Sequence, residues 1–219
     1  MLGSILKDLI RPGAATKAPE SNARRVLNVG GGSKAIAIPG HYDGWAHVLL
    51  DIDGRGNPDI VCDARALASL PAAQFDAVYC SHNLEHYYPH DCNKVLTGFL
   101  HLLKADGFAE IRVPDIGAVM RSVVNSGGDI GDVLYESPAG PISAHDVVYG
   151  FAKEIERSGQ DFYAHKNGFT PKRLRNVLEH AGFAEVLVFE SAEAFELKAL
   201  AFKAQPTVEQ RRALGLTSA

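Results

Sequence analysis

The sequence predicts a layered α/β domain. Its sheet has seven strands, mostly parallel, and ends in an antiparallel hairpin; helices flank it, with the early ones short or missing. Three observations carry this reading. Four successive apolar runs end in glycines or in acidic or polar residues: 26–29 before Gly30, Gly31 and Gly32, 48–50 before Asp51, 60–62 before Asp63, and 75–80 before Ser81 and His82. Two later segments carry apolar residues at helical spacing and lie between strands, as crossover helices do. The last two strand-like runs are separated only by a short turn around 191–194, which pairs them as a hairpin.

In chain order, residues 1–10 have apolar positions at helical spacing, and 11–23 (RPGAATKAPESNA) read as a linker with nothing large to bury. The main domain spans 24–219. Strands are expected near 25–29, 47–51, 59–62, 75–80, 107–113, 184–190 and 195–203. About 17 residues separate the first two strands, and Pro39 and Gly40 interrupt them, so no full helix fits. The connection 52–58 is shorter still and leaves a hairpin as the alternative to parallel pairing. Asp91 is expected to cap a helix whose face is Val95, Leu96, Phe99, Leu102 and Leu103, with Gly107 as its stop. Thr170 and Pro171 open a second helix with Leu174, Val177, Leu178 and Ala181 on its buried side, and Gly182 ends it. Residues 114–168 form an insertion after the fifth strand. It has helical spacing at Ile116, Val119, Met120 and Val123, two glycine- and proline-rich breaks, and a second helical stretch near 145–157. It lies on the same sheet edge as the glycines, where a lid or substrate-recognition element belongs.

The chain has 219 residues, 46% hydrophobic and 22% charged, an ordinary globular composition large enough to bury a core without staples. Its net charge is −4 with no block of Lys or Arg, which argues against a nucleic-acid backbone as main partner. Three cysteines form no CxxC pair and read as buried free thiols in a reducing compartment. No apolar run reaches membrane-spanning length, and the N-terminal apolar residues are broken by Lys7 and Asp8. The expectation is a cytoplasmic protein that does not bind membranes.

Strand ends of an open parallel sheet face the ligand crevice. Three consecutive glycines there let a backbone approach a ligand closely and adopt positive φ. Gly30, Gly32 and Ala35 also fit a dinucleotide fingerprint, with Asp51 at ribose distance. That fingerprint needs a helix N-terminus at the pyrophosphate, and Pro39 and Gly40 leave barely one turn. A cofactor without phosphates suits the loop better.

The ordered set 28–33 (NVGGGS), 50–53 (LDID), 62–64 (CDA), 75–86 (FDAVYCSHNLEH), 107–115 (GFAEIRVPD) and 168–183 resembles the class I S-adenosylmethionine-dependent methyltransferases. It is similar in particular to the small methyltransferases with a Leu-Glu-His signature after the fourth strand, some of which appear alongside glycan-assembly enzymes. The resemblance covers roughly 24–120 and 163–203. It implies a Rossmann-like seven-stranded sheet and S-adenosyl-L-methionine as cofactor, with S-adenosyl-L-homocysteine as product. It further implies methyl transfer to oxygen or nitrogen of a small-molecule or glycan acceptor. By the same resemblance Gly30, Gly31 and Gly32 would cradle the methionine and ribose, and Asp51, followed by Ile52, would accept from the ribose hydroxyls. Asp63, with the Ala64 backbone, would meet the adenine, and Ser81 and His82 would border the methionine. Asn28 stands where the first motif usually has an acid, which weakens a water-mediated grip on the methionine amine.

Plainer readings stay open. Asp51 can cap a turn, leaving Asp53 to the ribose; Asp63 can cap a short helix at 64–69; Glu85 can be a surface charge. His82, His86 and His90 recur at spacing four, but Pro89 interrupts a common helix face and no HExxH pattern exists, so no metal site is expected. His86 and His82 are the candidate catalytic bases for a hydroxyl acceptor, against packing roles. His145, His165, Tyr149 and Tyr163 are weaker candidates in or beside the insertion. Two other functions compete: a non-catalytic relative acting as a binding or assembly subunit, and a nicotinamide-dependent oxidoreductase.

Overall fold

The computed structural model describes residues 11–12, 23–190 and 195–216. The expected N-terminal helix, most of the linker and the 191–194 turn lie outside them. The sheet runs β1 (Arg11–Pro12), β4 (Ile60–Val61), β3 (Ala46–Asp51), β2 (Arg25–Val29), β5 (Phe75–Ser81), β6 (Leu103–Pro114), β10 (Glu196–Phe202), β9 (Glu185–Glu190). Strands β4, β3, β2, β5 and β6 are parallel neighbours. Strand β10 is antiparallel to both β6 and β9, the expected hairpin. The seven expected strands are present. An eighth, two-residue strand falls in the segment read as linker and pairs antiparallel with β4. The doubtful third strand is parallel, with Leu50 beside Ile60 and Asp51 beside Val61.

The two faces are covered differently. One is packed by α1 (Pro89–Leu102), α5 (Pro171–Ala181) and the short 3-10 helix Ala64–Ser69. Leu27, Val29, Val78, Cys80 and Ile111 meet Val95, Leu96, Phe99, Leu174 and Leu178, all fully buried. Each such aliphatic or aromatic side chain contributes about 1.5–3 kcal/mol, so this face holds most of the fold's apolar stabilisation. Among the described residues the other face carries no long helix. Tyr42, on the turn Gly40–Tyr42, packs with Trp45 over Tyr79, Phe108 and Phe202, and Leu214 and Leu216 close the patch after α6 (Val208–Ala213). The missing early helices are thus replaced by an aromatic loop. The three cysteines are free and buried.

Two expected helix signals act differently. Asp91 does not cap α1; Tyr88 takes the cap position without a side-chain bond and Pro89 opens the helix. Asp91 sits in the first turn and receives Lys94 Nζ at 2.7 Å. Gly107 does not stop α1, because the chain enters β6 directly at Leu103, which pairs with Phe75. A Cβ on Gly107 would stand 2.9 Å from Leu103 Cδ2 and 3.1 Å from the Asp76 carbonyl, so close packing explains this glycine. Helix α5 follows the sequence: Thr170 Oγ1 accepts from the Arg173 amide, and Gly182 terminates at φ 110°.

The insertion contains α2 (Ile116–Ser126), a hairpin of β7 (Val133–Ser137) and β8 (Gly140–Ser143), α3 (Ala144–Tyr149) and α4 (Ala152–Ser158). Its small core joins Val119, Ile142, Ala144 and Val147. Ser143 and Asp146 form a reciprocal capping box that starts α3. Among the described residues no helix is long and apolar enough to cross a membrane.

Candidate functional site

A cleft of about 410 Å³ opens at the C-terminal ends of β2 to β5, within the range of small-molecule sites. Its floor is the glycine turn. The Gly30 amide donates to the Leu50 carbonyl at 2.8 Å, and Gly30 and Gly32 adopt φ of 73° and 66°. The Asn83 side chain occupies the space that a Cβ on Gly30 would need. Gly56, on the turn Gly54–Gly56, packs so tightly that its Cβ would collide with the Gly32 carbonyl.

Asp51 fastens this floor. Its Oδ2 accepts from the Gly32 amide at 2.9 Å and its Oδ1 from the Asp53 amide at 2.8 Å. Each carboxylate oxygen keeps a further acceptor direction, and the residue lines the cleft. Ile52 stands at the mouth. Asp53 is committed elsewhere: it caps the Gly54–Gly56 turn, pairs with Arg55, and receives the Tyr163 hydroxyl at 2.8 Å. Those Arg55 and Tyr163 bonds hold its carboxyl well below the usual range despite partial burial. Arg55 Nη2 also donates to Tyr163 Oη at 2.9 Å. Tyr163, with Asp161, Phe162 and Lys166, brings the insertion over the cleft, so Asp53, Arg55 and Tyr163 form a clasp. Asp63 caps the Ala64–Ser69 turn and is bridged by Arg65, Nε lying 2.9 Å from Oδ2. Both residues line the cleft.

The segment after β5 carries the histidines. His82 adopts φ 48° and places Nε2 2.7 Å from Glu196 Oε2 and Nδ1 3.6 Å from Glu85 Oε1. Close packing pulls its pKa down, but the bond to Glu196 and the nearby Glu85 carboxylate outweigh that and hold it at about 10. At neutral pH His82 is therefore an imidazolium, a donor with no lone pair for a proton. The plain reading of Glu85 as a surface charge fails: the residue is 1% exposed, and neither carboxylate oxygen has a hydrogen bond. The His82 interactions hold its carboxyl low in spite of burial. His86 directs Nδ1 to the Ala164 carbonyl at 3.2 Å, and its ring meets His165 edge-on at 4.8 Å. His165 directs Nδ1 to the Val147 carbonyl at 2.8 Å, and burial pulls its pKa down. A carbonyl only accepts, so in the neutral rings both Nδ1 atoms carry the proton and both Nε2 atoms the lone pair. The Glu85 carbonyl receives the Lys166 and Asn167 amides at 2.8 and 3.1 Å, which seats the insertion on this turn.

Of the expected site residues, Gly30, Gly32, Asp51, Ile52, Asp63, His82 and His86 line one cleft. Asn28, Gly31, Ala64 and Ser81 do not line it. Asn28 is buried beneath Gly31, its Nδ2 3.2 Å from His47 Nε2, and supports the turn from below. Ala64 is buried in the turn that Asp63 caps, and Ser81 ends β5 beside Arg112. His90 stacks on Tyr88 and does not join the group of Glu85, His86 and His165. Gly56, Arg65, Asn83, Tyr87 and the clasp residue Arg55 went unsingled in the sequence. Only Gly56, in a Gly-x-Gly-Asn turn, carried a local signal. A second cavity, about 620 Å³, lies between the β7–β8 hairpin and the ends of β6 and β10. Its lining includes Tyr135, Ile142, Phe151, Phe195 and His165, and it shares His82 with the first.

Residues 27–111, from β2 into β6, match the family described as methyltransferase domain. The match spans about two fifths of the chain and lies over the strands that build the cleft. It supports the enzyme class, S-adenosylmethionine-dependent methyl transfer, and the cleft at the strand ends fits that cofactor: two glycines, Gly30 and Gly56, with no room for a Cβ, beside a carboxylate with acceptor directions to spare. A methyltransferase from Archaeoglobus fulgidus described as S-adenosylmethionine-dependent has a similar structure, with TM-score 0.50 and 19% identity over 83% of this chain and 86% of that one. A protein from Pyrococcus horikoshii gives 0.53 and 16% over 83% and 82%. An S-adenosylmethionine-dependent methyltransferase from Methanosarcina mazei gives 0.51 and 12% over 93% and 98%. At such identities the likeness is one of fold. No curated protein matches the sequence.

Proposed function

We propose that this protein methylates an oxygen or nitrogen of a small-molecule or glycan acceptor. The observation that carries the reading is Asp51, whose carboxylate ties the glycine turn to β3 while facing the cleft. S-adenosylmethionine, when bound, supplies a sulfonium methyl whose leaving group departs neutral, so no acid is required. The protein's part is positioning, the largest lever open to it in an in-line transfer. Gly30 and Gly32 let the backbone approach the cofactor. Asp51 accepts from the ribose, and Asp63 with Ile52 borders the base. The Tyr163 clasp holds the insertion over the cleft and excludes water.

The second cavity is the acceptor site in this reading. Its wall of Tyr135, Phe151 and Phe195 suits the apolar face of a ring, and the shared His82 imidazolium marks where the two cavities meet. His82, its two N–H groups directed at Glu196 and Glu85, contributes a fixed positive charge to the wall against which the acceptor lies. His86 offers a lone pair beside that junction and takes the proton of a hydroxyl acceptor. An amine acceptor that arrives unprotonated needs no such base.

The test is transfer of radiolabelled methyl from S-adenosylmethionine to a panel of phenols, amines and saccharides. Labelled product with any of them supports the proposal. Binding of S-adenosylhomocysteine with no transfer to any class would favour a binding subunit instead.

A further inference from the structure

The turn Leu84–His86 and the insertion bring three Lewis bases together. One ligand atom each of Glu85, His86 and His165 lies within 4.8 Å of the others. His165 Nε2 is 4.0 Å from Glu85 Oε1. With Nδ1 donating to the Val147 carbonyl, the neutral ring of His165 turns a lone pair toward a carboxylate. Nothing in that contact is attractive unless a positive charge lies between the two. Glu85 is 1% exposed, and neither of its oxygens accepts a hydrogen bond. A buried carboxylate in that state is costly. His82 Nδ1 at 3.6 Å compensates one side of Glu85 only electrostatically.

We propose that Glu85, His86 and His165 bind a divalent transition-metal ion of the zinc type. Two imidazoles and one carboxylate make a three-ligand set that leaves a fourth position open. Ligand atoms around tetrahedral zinc stand about 3.3–3.5 Å apart, so the cluster must contract by roughly 1–1.5 Å. His165 sits on the insertion, where side-chain rotation and a small segment shift supply that movement.

The location gives the ion a role. His86 lines the cofactor cleft and His165 lines the second cavity, so the ion sits in the wall between them. Its open position would polarise an acceptor oxygen as a Lewis acid and lower the pKa of a hydroxyl, so that its proton passes to solvent water, and His86 would then act through the ion rather than as a free base. The same ion would lock the insertion onto the β5 exit, adding to the Lys166 and Asn167 amide bonds to the Glu85 carbonyl. Binding of the ion does not depend on methyl transfer being the reaction.

The experiment is isothermal titration of chelator-stripped full-length protein with zinc chloride, with cobalt(II) absorption as a second probe. The expected result is one ion per chain with a tetrahedral cobalt spectrum. Affinity should fall at least tenfold in Glu85→Gln and in His165→Asn and stay unchanged in His180→Asn, an exposed histidine on α5. Zinc should also raise the melting temperature of wild type and slow proteolysis within 150–165. If Glu85→Gln loses its circular-dichroism signature, His165→Asn decides. Absence of stoichiometric zinc binding, or binding that His165→Asn leaves intact, overturns the proposal. Titration of the same samples with S-adenosylhomocysteine reports the cofactor cleft separately.

Discussion

Replacing Asp51 by alanine tests the floor of the cleft and its ribose role together. The side chain is 7% exposed and holds two amides, Gly32 at 2.9 Å and Asp53 at 2.8 Å, on separate carboxylate oxygens. Hydrogen bonds to a charged group contribute about 1.5–3 kcal/mol each when the partner is left buried. Both amides lie on loops facing the cleft, where water can replace the lost acceptor, so the stability cost should fall below the roughly 3 kcal/mol that two such bonds give at the lower figure, to about 2 kcal/mol in total. For a domain of this size that is a fall in melting temperature of roughly 4–8 °C. Loss of the ribose contact should weaken S-adenosylhomocysteine by about 1.5–3 kcal/mol, roughly 10- to 150-fold. Asp51→Asn keeps one acceptor oxygen and should recover part of the stability but little of the affinity. Calorimetric titration and thermal unfolding of both variants give the two numbers. A stable Asp51→Ala that binds S-adenosylhomocysteine as wild type does would refute the reasoning.

Further outcomes follow from the same geometry. Gly56→Ala places a methyl against the Gly32 carbonyl and should displace the glycine turn. Titration should show at least a tenfold loss of cofactor affinity; unchanged affinity would mean that the turn tolerates the shift. Tyr163→Phe removes the hydroxyl that joins Asp53 to Arg55, a bond typically contributing about 0.5–1.5 kcal/mol, so S-adenosylhomocysteine should dissociate roughly 2- to 10-fold faster in stopped-flow measurements. His82→Asn tests the imidazolium, since asparagine tolerates the positive φ. The folded-state pKa of about 10 lies above the ordinary value of 6.5. Stability from the bound proton is therefore complete below about 6.5 and is lost as pH rises through about 10. Wild-type melting temperature should decline over that window more steeply than that of the variant; parallel curves would show that His82 is not held protonated.

Much of the fold was legible because buried parallel strands are short apolar runs and their C-terminal ends need polar or glycine residues. The runs before Gly30, Asp51, Asp63 and Ser81 show this directly. Where sequence signals misled, a tertiary contact overrode a local preference. Asp91 looks like a cap, but Pro89 begins the helix earlier and frees Asp91 to meet Lys94 and Arg65. Gly107 looks like a helix stop, but its lack of a side chain serves packing against Leu103 and Asp76. The cleft was legible as far as its floor. The clasp was not, since Tyr163 and Asp53 meet across 110 residues and nothing in the spacing pairs them. The same distance hid the partnership of His165 with Glu85 and His86; spacing suggested His82, His86 and His90 instead, and His90 does not join the group.

The central claim is that the glycine turn and the acids at the strand ends hold a nucleoside. A crystal structure with S-adenosylhomocysteine bound tests it most directly. The account predicts ribose hydroxyls within hydrogen-bond reach of Asp51, the adenine between Ile52 and Asp63, and the sulfur turned toward His82 and His86. The ligand lodged elsewhere, or ribose oxygens facing solvent with Asp51 turned only to its two amides, would contradict it.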